Sequence, residues 1–213
     1  MVIVLGPKDK RPYPLDIINC TSRSNDFGRE LSPFLCGPVE IPCVEPDNFH
    51  YSNNVENAWQ YSKVYKGQTN LNGNPSSSWW RWALDGWSKN RAVRYPMGKG
   101  VTPLYHYYKG KHLSKIEARR QMYIPWYAKA VTKTEAFKRL ERMHNRSVLF
   151  DEGPLYLWDF DGYNYREQGL SYKEVIENPN RSLGHGFVIA MLLEDYIDEN
   201  GQETGKFKEE KKR

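Results

Sequence analysis

Leu183-Gly-His-Gly-Phe-Val-Ile-Ala-Met-Leu-Leu-Glu-Asp-Tyr196 is the stretch on which the fold turns. From His185 to Tyr196 nearly every position is apolar, so no face is left for water and the segment reads as a helix buried at the centre. Asn178-Pro-Asn-Arg-Ser-Leu-Gly184 punctuates the chain before it. Working outward, Leu155 to Phe160 is an apolar, aromatic run of strand type, and Val2–Leu5, Leu15–Cys20 and Ser147–Phe150 read the same way. Helices are expected from an Asn54 cap to about Tyr65, across Trp79, Trp80, Trp82 and Trp87, and from Ser114 to Tyr123, where Pro125 interferes. Two more start with capping-box form, at Thr132-x-x-Glu135, with Ala136, Phe137, Leu140 and Met143 as its apolar stripe, and at Ser171-x-x-Glu174. The expected class is α+β, a mainly helical single domain with a few short strands. Residues 1–14 read as an N-terminal extension with a short strand, 15–197 as the domain, and 198–213 as a charged tail expected to be disordered.

A length of 213 residues suits one domain and not two, and 14% aromatic residues exclude disordered and low-complexity classes. The formal net charge of +5 conceals a division. Residues 81–146 sum to +12 and residues 147–197 to −6. Such a basic block either solvates a surface or attracts phosphates. No apolar run approaches the roughly 20 residues of a membrane span, so no membrane partner is expected and the location is read as intracellular. Cys20, Cys36 and Cys43 form neither a C-x-x-C pair nor a zinc spacing, and read as buried thiols in a reducing compartment. Neither a metal nor another cofactor is expected.

Glu56, Trp59, Gln60 and Lys63 stand at i, i+3, i+4 and i+7, placing a carboxylate, an indole, an amide and an amine on one helical face. The face is either solvent-exposed, with a Glu56–Lys63 ion pair worth under ~1 kcal/mol, or partly buried and able to do acid–base or amine chemistry. Trp158, Asp159, Asp161 and Asn164 sit at a strand end, where paired carboxylates can bind Mg²⁺ if further oxygen ligands join them, fix a ribose, or satisfy a turn. Gly184 opens a helix whose free N–H groups suit a phosphate. Arg91, Arg94 and Lys99, with the flexible Gly98 and Gly100, offer a second phosphate-attracting loop. The tryptophans of the second helix read as core, with base stacking as the alternative.

Three groups of residues then resemble a known family. Asn19-Cys-Thr-Ser-Arg-Ser-Asn-Asp-Phe-Gly28 with Leu31-Ser-Pro-Phe34 and Pro38-Val39, the helix Val55-Glu-Asn-Ala-Trp-Gln-Tyr-Ser-Lys63, and Trp158-Asp-Phe-Asp-Gly162 followed by Asn180-Arg-Ser-Leu-Gly184 are similar in order and spacing to the NADAR superfamily of YbiA-like N-glycosidases. The likeness spans roughly residues 16–197. It departs at Pro33 and at Asn57, where the family carries asparagine and histidine, and the middle of the chain is longer. The resemblance implies hydrolysis of a bond between a ribose anomeric carbon and a nitrogen, with Glu56 as general acid/base and Lys63 holding a phosphate or attacking the ring-opened sugar. Asp161, with Asp159 as the lesser choice, would bind ribose hydroxyls, the Gly184 helix start would take the pyrophosphate, and Trp59 or Trp158 would stack on a base. Arg23, Arg94, Gln60 and Asn164 complete the expected ligand contacts. With the basic block, the expected substrate is ADP-ribosyl-guanine in DNA. Phosphorylated riboflavin-pathway intermediates, or a non-catalytic module binding ADP-ribose or nucleic acid, are the alternatives.

Overall fold

The computed structural model describes residues 1–12, 16–42 and 49–207. In chain order the elements are β1 (Val2–Leu5), β2 (Ile17–Asn19), β3 (Val39–Pro42), β4 (Phe49–Ser52), α1 (Val55–Tyr61), β5 (Lys63–Val64) and α2 (Ser77–Ser88). They continue with β6 (Tyr105–Tyr108), β7 (Lys111–Leu113), α3 (Lys115–Ala118), α4 (Ile124–Val131), α5 (Glu135–Leu149), β8 (Leu155–Trp158), α6 (Tyr172–Glu177) and α7 (His185–Leu193). The α+β class holds, with three small sheets.

Helix α7 is buried at every position except the partly covered Leu192, because a segment apolar on all sides gains most when nothing faces water. It packs on β1 and α4. β8 lies between β1 and β2 and runs parallel to both, with Leu157 opposite Val4 and Ile18. The carboxyl ends of all three strands therefore open at one edge of the sheet, where the chain leaves β2 through Cys20–Arg23 and β8 through Asp159–Asp161. That edge is the usual place for a ligand on parallel strands.

The elements between β4 and β8 depart from expectation in several places. α1 ends at Tyr61 rather than Tyr65 because Lys63 and Val64 pair with His106 and Tyr105 across a sheet. Pro125 does not end the third helix. The chain passes from α3 through one π-helical turn, Arg119–Tyr123, straight into α4, and the Ile124 N–H reaches back five residues to the Arg119 carbonyl. The wider turn accommodates the proline, which sits in the first turn of α4. Thr134, not Thr132, caps α5, and that helix runs on to Leu149, so the expected strand at Ser147–Phe150 is helical. Ser147 is tied to the Gly153 carbonyl, and Val148, Leu149 and Phe150 are exposed. Ser171 forms its capping box as expected, and Ser114 forms another with Glu117.

The expected segment boundaries also shift. β1 is a full member of the parallel sheet, so the N-terminal residues up to 12 belong to the domain and are no extension. Beyond Ile197 the chain turns back, Ile197 bridging Glu203, and Phe207 packs on Tyr172 and Tyr196, so residues 198–207 are ordered against the core. Cys20 and Cys36 are buried thiols, and burial pushes both up, Cys36 to about 12. Cys43, Tyr13–Leu15 and residues 208–213 lie outside the described residues.

Candidate active site

Asn54 begins α1 by accepting the Asn57 N–H at 2.8 Å. The helix turns Val55, Ala58 and Tyr61 into the core and leaves Glu56 and Gln60, one turn apart, at the inner wall of a cavity. Both are 7% exposed, which decides between the two readings of this face in favour of burial. Gln60 Nε2 donates to Glu56 Oε1 at 2.9 Å, and Gln60 Oε1 accepts from Lys63 Nζ at 2.6 Å. A side-chain amide can give and accept at once. Acid and amine are thus joined through Gln60, and no direct ion pair forms. Lys63 lies on β5 and not on the helix, and its carbonyl accepts the Trp79 indole N–H at 2.8 Å. Its ammonium stands 5.4 Å from the Trp59 ring centre.

Burial pushes Glu56 up, more than Gln60 and the charges of Lys63, Arg94 and His185 pull it down. Burial also brings Lys63 down to about 8, against the pull of Glu56 and with help from Lys115. Desolvation penalises charge on both, so a carboxyl and an amine that usually titrate far apart are drawn toward neutral pH. His106, paired with Lys63 across β5–β6 and 4.2 Å from the Trp59 ring, falls to about 3 through burial and the charges of Lys63 and Lys115. Its ring is therefore neutral. Ser62 gives its hydroxyl proton to the Trp59 carbonyl at 2.9 Å, so His106 Nδ1 donates to Ser62 Oγ at 3.2 Å.

The facing wall comes from α3 and the π turn. Lys115, Arg119 and Tyr123, at i, i+4 and i+8, line the same cavity. Arg119 is buried, and its guanidinium donates to the carbonyls of Ile176, Asn178 and Arg181, while Lys115 Nζ reaches the Pro179 carbonyl at 3.0 Å. These bonds fix the loop before α7. They use neutral acceptors, so the positive charge of Arg119 is left to the cavity. Burial, Glu56, Asp159 and Asp161 together raise Tyr123 far above a free phenol.

Two chambers result. The larger, about 570 Å³, is lined by Glu56, Trp59, Gln60, Lys63, Arg94 and Asp161 with the Lys115–Tyr123 wall. The smaller, about 250 Å³, lies at the ends of β2 and β8, lined by Thr21, Arg23, Phe34, Phe160 and His185. Glu56, Arg94, Tyr123, Asp161 and Leu183 border both. Across this junction Arg94 approaches Asp161 at 3.5 Å. Burial and the neighbouring Asp159 raise Asp161, more than Arg94 and the other cations lower it.

Of the residues picked from sequence, Glu56, Trp59, Gln60, Lys63, Arg94 and Asp161 converge on the larger chamber, and Arg23, Asp159 and Gly184 line the smaller. Two expectations fail on position. Trp158 lines neither chamber: side chains alternate along β8, so when Leu157 and Asp159 turn inward Trp158 turns to the other face, against Phe160 and beneath Arg11. Asn164 accepts the Glu167 N–H at 3.3 Å and serves a turn.

A third expectation fails on occupancy. The α7 start does not await a pyrophosphate, because Asp159 already fills it. Its Oδ2 accepts the Gly186 N–H at 2.9 Å and lies 3.2 Å from His185 Nδ1. A Cβ on Gly184 would stand 2.4 Å from that oxygen, so glycine is what lets the carboxylate seat there. Of the four tryptophans, Trp79 and Trp87 are core, and Trp80 and Trp82 pack against it.

Tyr123, Lys115, Arg119 and His106 escaped sequence reasoning. A Ser114-x-x-Glu117 start followed by Lys115, Arg119 and Tyr123 at helical spacing was the signal that pointed to three of them. Among the described residues no group of three or more His, Cys, Asp or Glu is placed to hold a metal ion, and no helix is long and apolar enough to cross a membrane. No family model, no curated protein and no solved structure matches this chain.

Proposed function

We propose that this chain is an N-glycosidase that removes ADP-ribose from guanine in DNA. The observation that carries the reading is the Glu56–Gln60–Lys63 row, buried at the wall of a cavity that also presents Lys115, Arg119 and Arg94. A substrate with a ribose between a diphosphate and a base needs cations on one side and proton-transfer groups at the anomeric carbon. In this reading the diphosphate lies in the larger chamber against Lys115 and Arg119, in place of the α7 start. The ribose lies at the junction beside Asp161, which accepts from its hydroxyls, and Trp59 offers an apolar wall.

The chemistry uses the two shifted groups. Protonated Glu56 gives its proton to the ring oxygen as the bond from C1 to that oxygen breaks, leaving an iminium between C1 and the base nitrogen. The neutral amine of Lys63, about a tenth of the population at pH 7 for a value near 8, adds to C1. One amine proton passes to the base nitrogen, the C1–N bond breaks, and the base leaves with its electron pair. Water adds to the resulting Schiff base, C1 becomes the aldehyde of open-chain ADP-ribose, and Lys63 is released. Net consumption is one water.

Incubation with an oligonucleotide carrying ADP-ribosyl-guanine tests the proposal. Release of free ADP-ribose is expected, together with a borohydride-trapped protein adduct that is lost in Lys63→Ala. No release at high enzyme load overturns the activity. Release only from a phosphorylated riboflavin-pathway intermediate reassigns the substrate.

A further inference from the structure

We infer that the loop from Lys89 to Leu104 is a docking rim for the single-stranded DNA that flanks the reacting nucleotide. The inference takes its substrate from the proposed activity, but it stands on separate observations. The loop carries Lys89, Arg91, Arg94 and Lys99 and no carboxylate. Lys89 pairs with Asp85, and Arg94 with Asp161. Arg91 and Lys99 are exposed and form no ion pair among the described residues. Between Arg91 and Lys99 the side chains of Tyr95 and Met97 are exposed at 47% and 38%, and just beyond Lys99 those of Val101 and Leu104 at 49% and 59%. Apolar side chains interleaved with unpaired cations, beside a cavity mouth, match a strand that offers base faces and phosphates in alternation.

The loop is held in place where it meets the fold. Asn57 donates through Nδ2 to the carbonyls of Lys89 and Arg91 at 3.0 and 3.1 Å, and its Oδ1 accepts the Val93 N–H at 2.8 Å. One buried amide thus pins three successive odd positions of the loop and sets its cations at the cleft edge. Beyond Val93 the chain roofs the larger chamber with Arg94, Tyr95 and Gly100–Leu104, and Gly100 takes φ +87°, a turn that L side chains resist. Met97 and Lys99 do not line the chamber, and both are exposed. A small metabolite enclosed in the chamber would not reach them. A polymer entering it would.

The test is fluorescence anisotropy with a labelled, unmodified 12-nucleotide single strand of mixed sequence, using wild type, Arg91→Glu/Lys99→Glu and Met97→Ser. None of these residues lines the chamber, so all three proteins should give the same calorimetric affinity for ADP-ribose, which also verifies their folding. The charge variant is expected to bind the strand at least ~10-fold more weakly at low salt. Its plot of log K against log salt should be shallower by about 1.4, because each single-strand phosphate that a cation neutralises adds about 0.7 to the slope and two such cations are removed. Met97→Ser should weaken binding a few-fold without change of slope. A wild type that does not bind the strand, a charge variant with unchanged affinity and slope, or an acidic peptide bound as tightly as the strand overturns the inference. Absence of ADP-ribose release would sink the activity and leave this binding result standing.

Discussion

Glu56 and Asp159 are both carboxylates within a few per cent of full burial, both border the smaller chamber, and both come from segments that carry the family resemblance. Their surroundings differ. Asp159 has both oxygens engaged: Oδ2 takes the Gly186 N–H and faces His185, and Oδ1 takes the Asp161 N–H at 3.4 Å. Glu56 has one donor, the Gln60 amide, and its second oxygen makes no hydrogen bond among the described residues. Burial with both oxygens engaged makes a structural cap, whereas burial with one oxygen open beside a cavity makes a group able to exchange protons. Sequence position does not tell these apart, because the difference lies in what arrives from distant parts of the chain.

The largest effect that would break this contrast is on turnover. Glu56→Gln keeps the shape and removes the proton, so release of ADP-ribose should fall by about 10³-fold, with a melting temperature within a degree or two of wild type. A Glu56→Gln protein that keeps its activity would return this helix face to a purely structural role. Asp159→Ala should do the reverse: a stability loss of about 3 kcal/mol in urea unfolding, from stranding the Gly186 N–H and His185 inside the protein. If the protein unfolds at wild-type denaturant concentrations, Asp159 is not the cap described here.

Smaller, but diagnostic, is the pH dependence set by Lys63. Its folded-state value near 8 lies below the ordinary 10.5, so between those values the unfolded chain holds more protons than the folded one. Stability from this group therefore rises with pH from about 8 to 10.5, by about 2 kcal/mol after allowance for its partial exposure, and is level below 8. Lys63→Met should abolish that rise and leave the rest of the unfolding profile in place. The turnover profile sharpens the assignment: a limb of kcat/KM ascending through pH 8 identifies the neutral amine as the acting form, and a descending limb identifies a phosphate-holding ammonium.

Much of the fold could be read along the chain because its signals are local. The Asn54 and Ser171 caps, the Ala136–Leu140 stripe and the unbroken apolar run of α7 each depend on neighbours within a turn or two. One departure came where a distant partner overrode the local signal, as β6 drew Lys63 and Val64 out of α1, and another where the backbone found a rarer local form, a π turn that carried a helix past Pro125. The same holds for the site. Glu56, Gln60 and Lys63 were visible as an odd polar face, but Tyr123 and Arg119 looked like ordinary helix residues until the fold turned them toward it.

What the sequence determined by itself was the polar row of the site and most of the helices: a carboxyl, an amide and an amine at helical spacing, a basic middle and a helix too apolar to lie anywhere but inside. Tertiary structure alone decided which carboxylate is free and which is capped, and that Asn57 pins a cationic loop over the cleft. Hydrogen-bond satisfaction and desolvation depend on atoms brought together from as far apart as Cys20 and His185, and no local pattern carries that information.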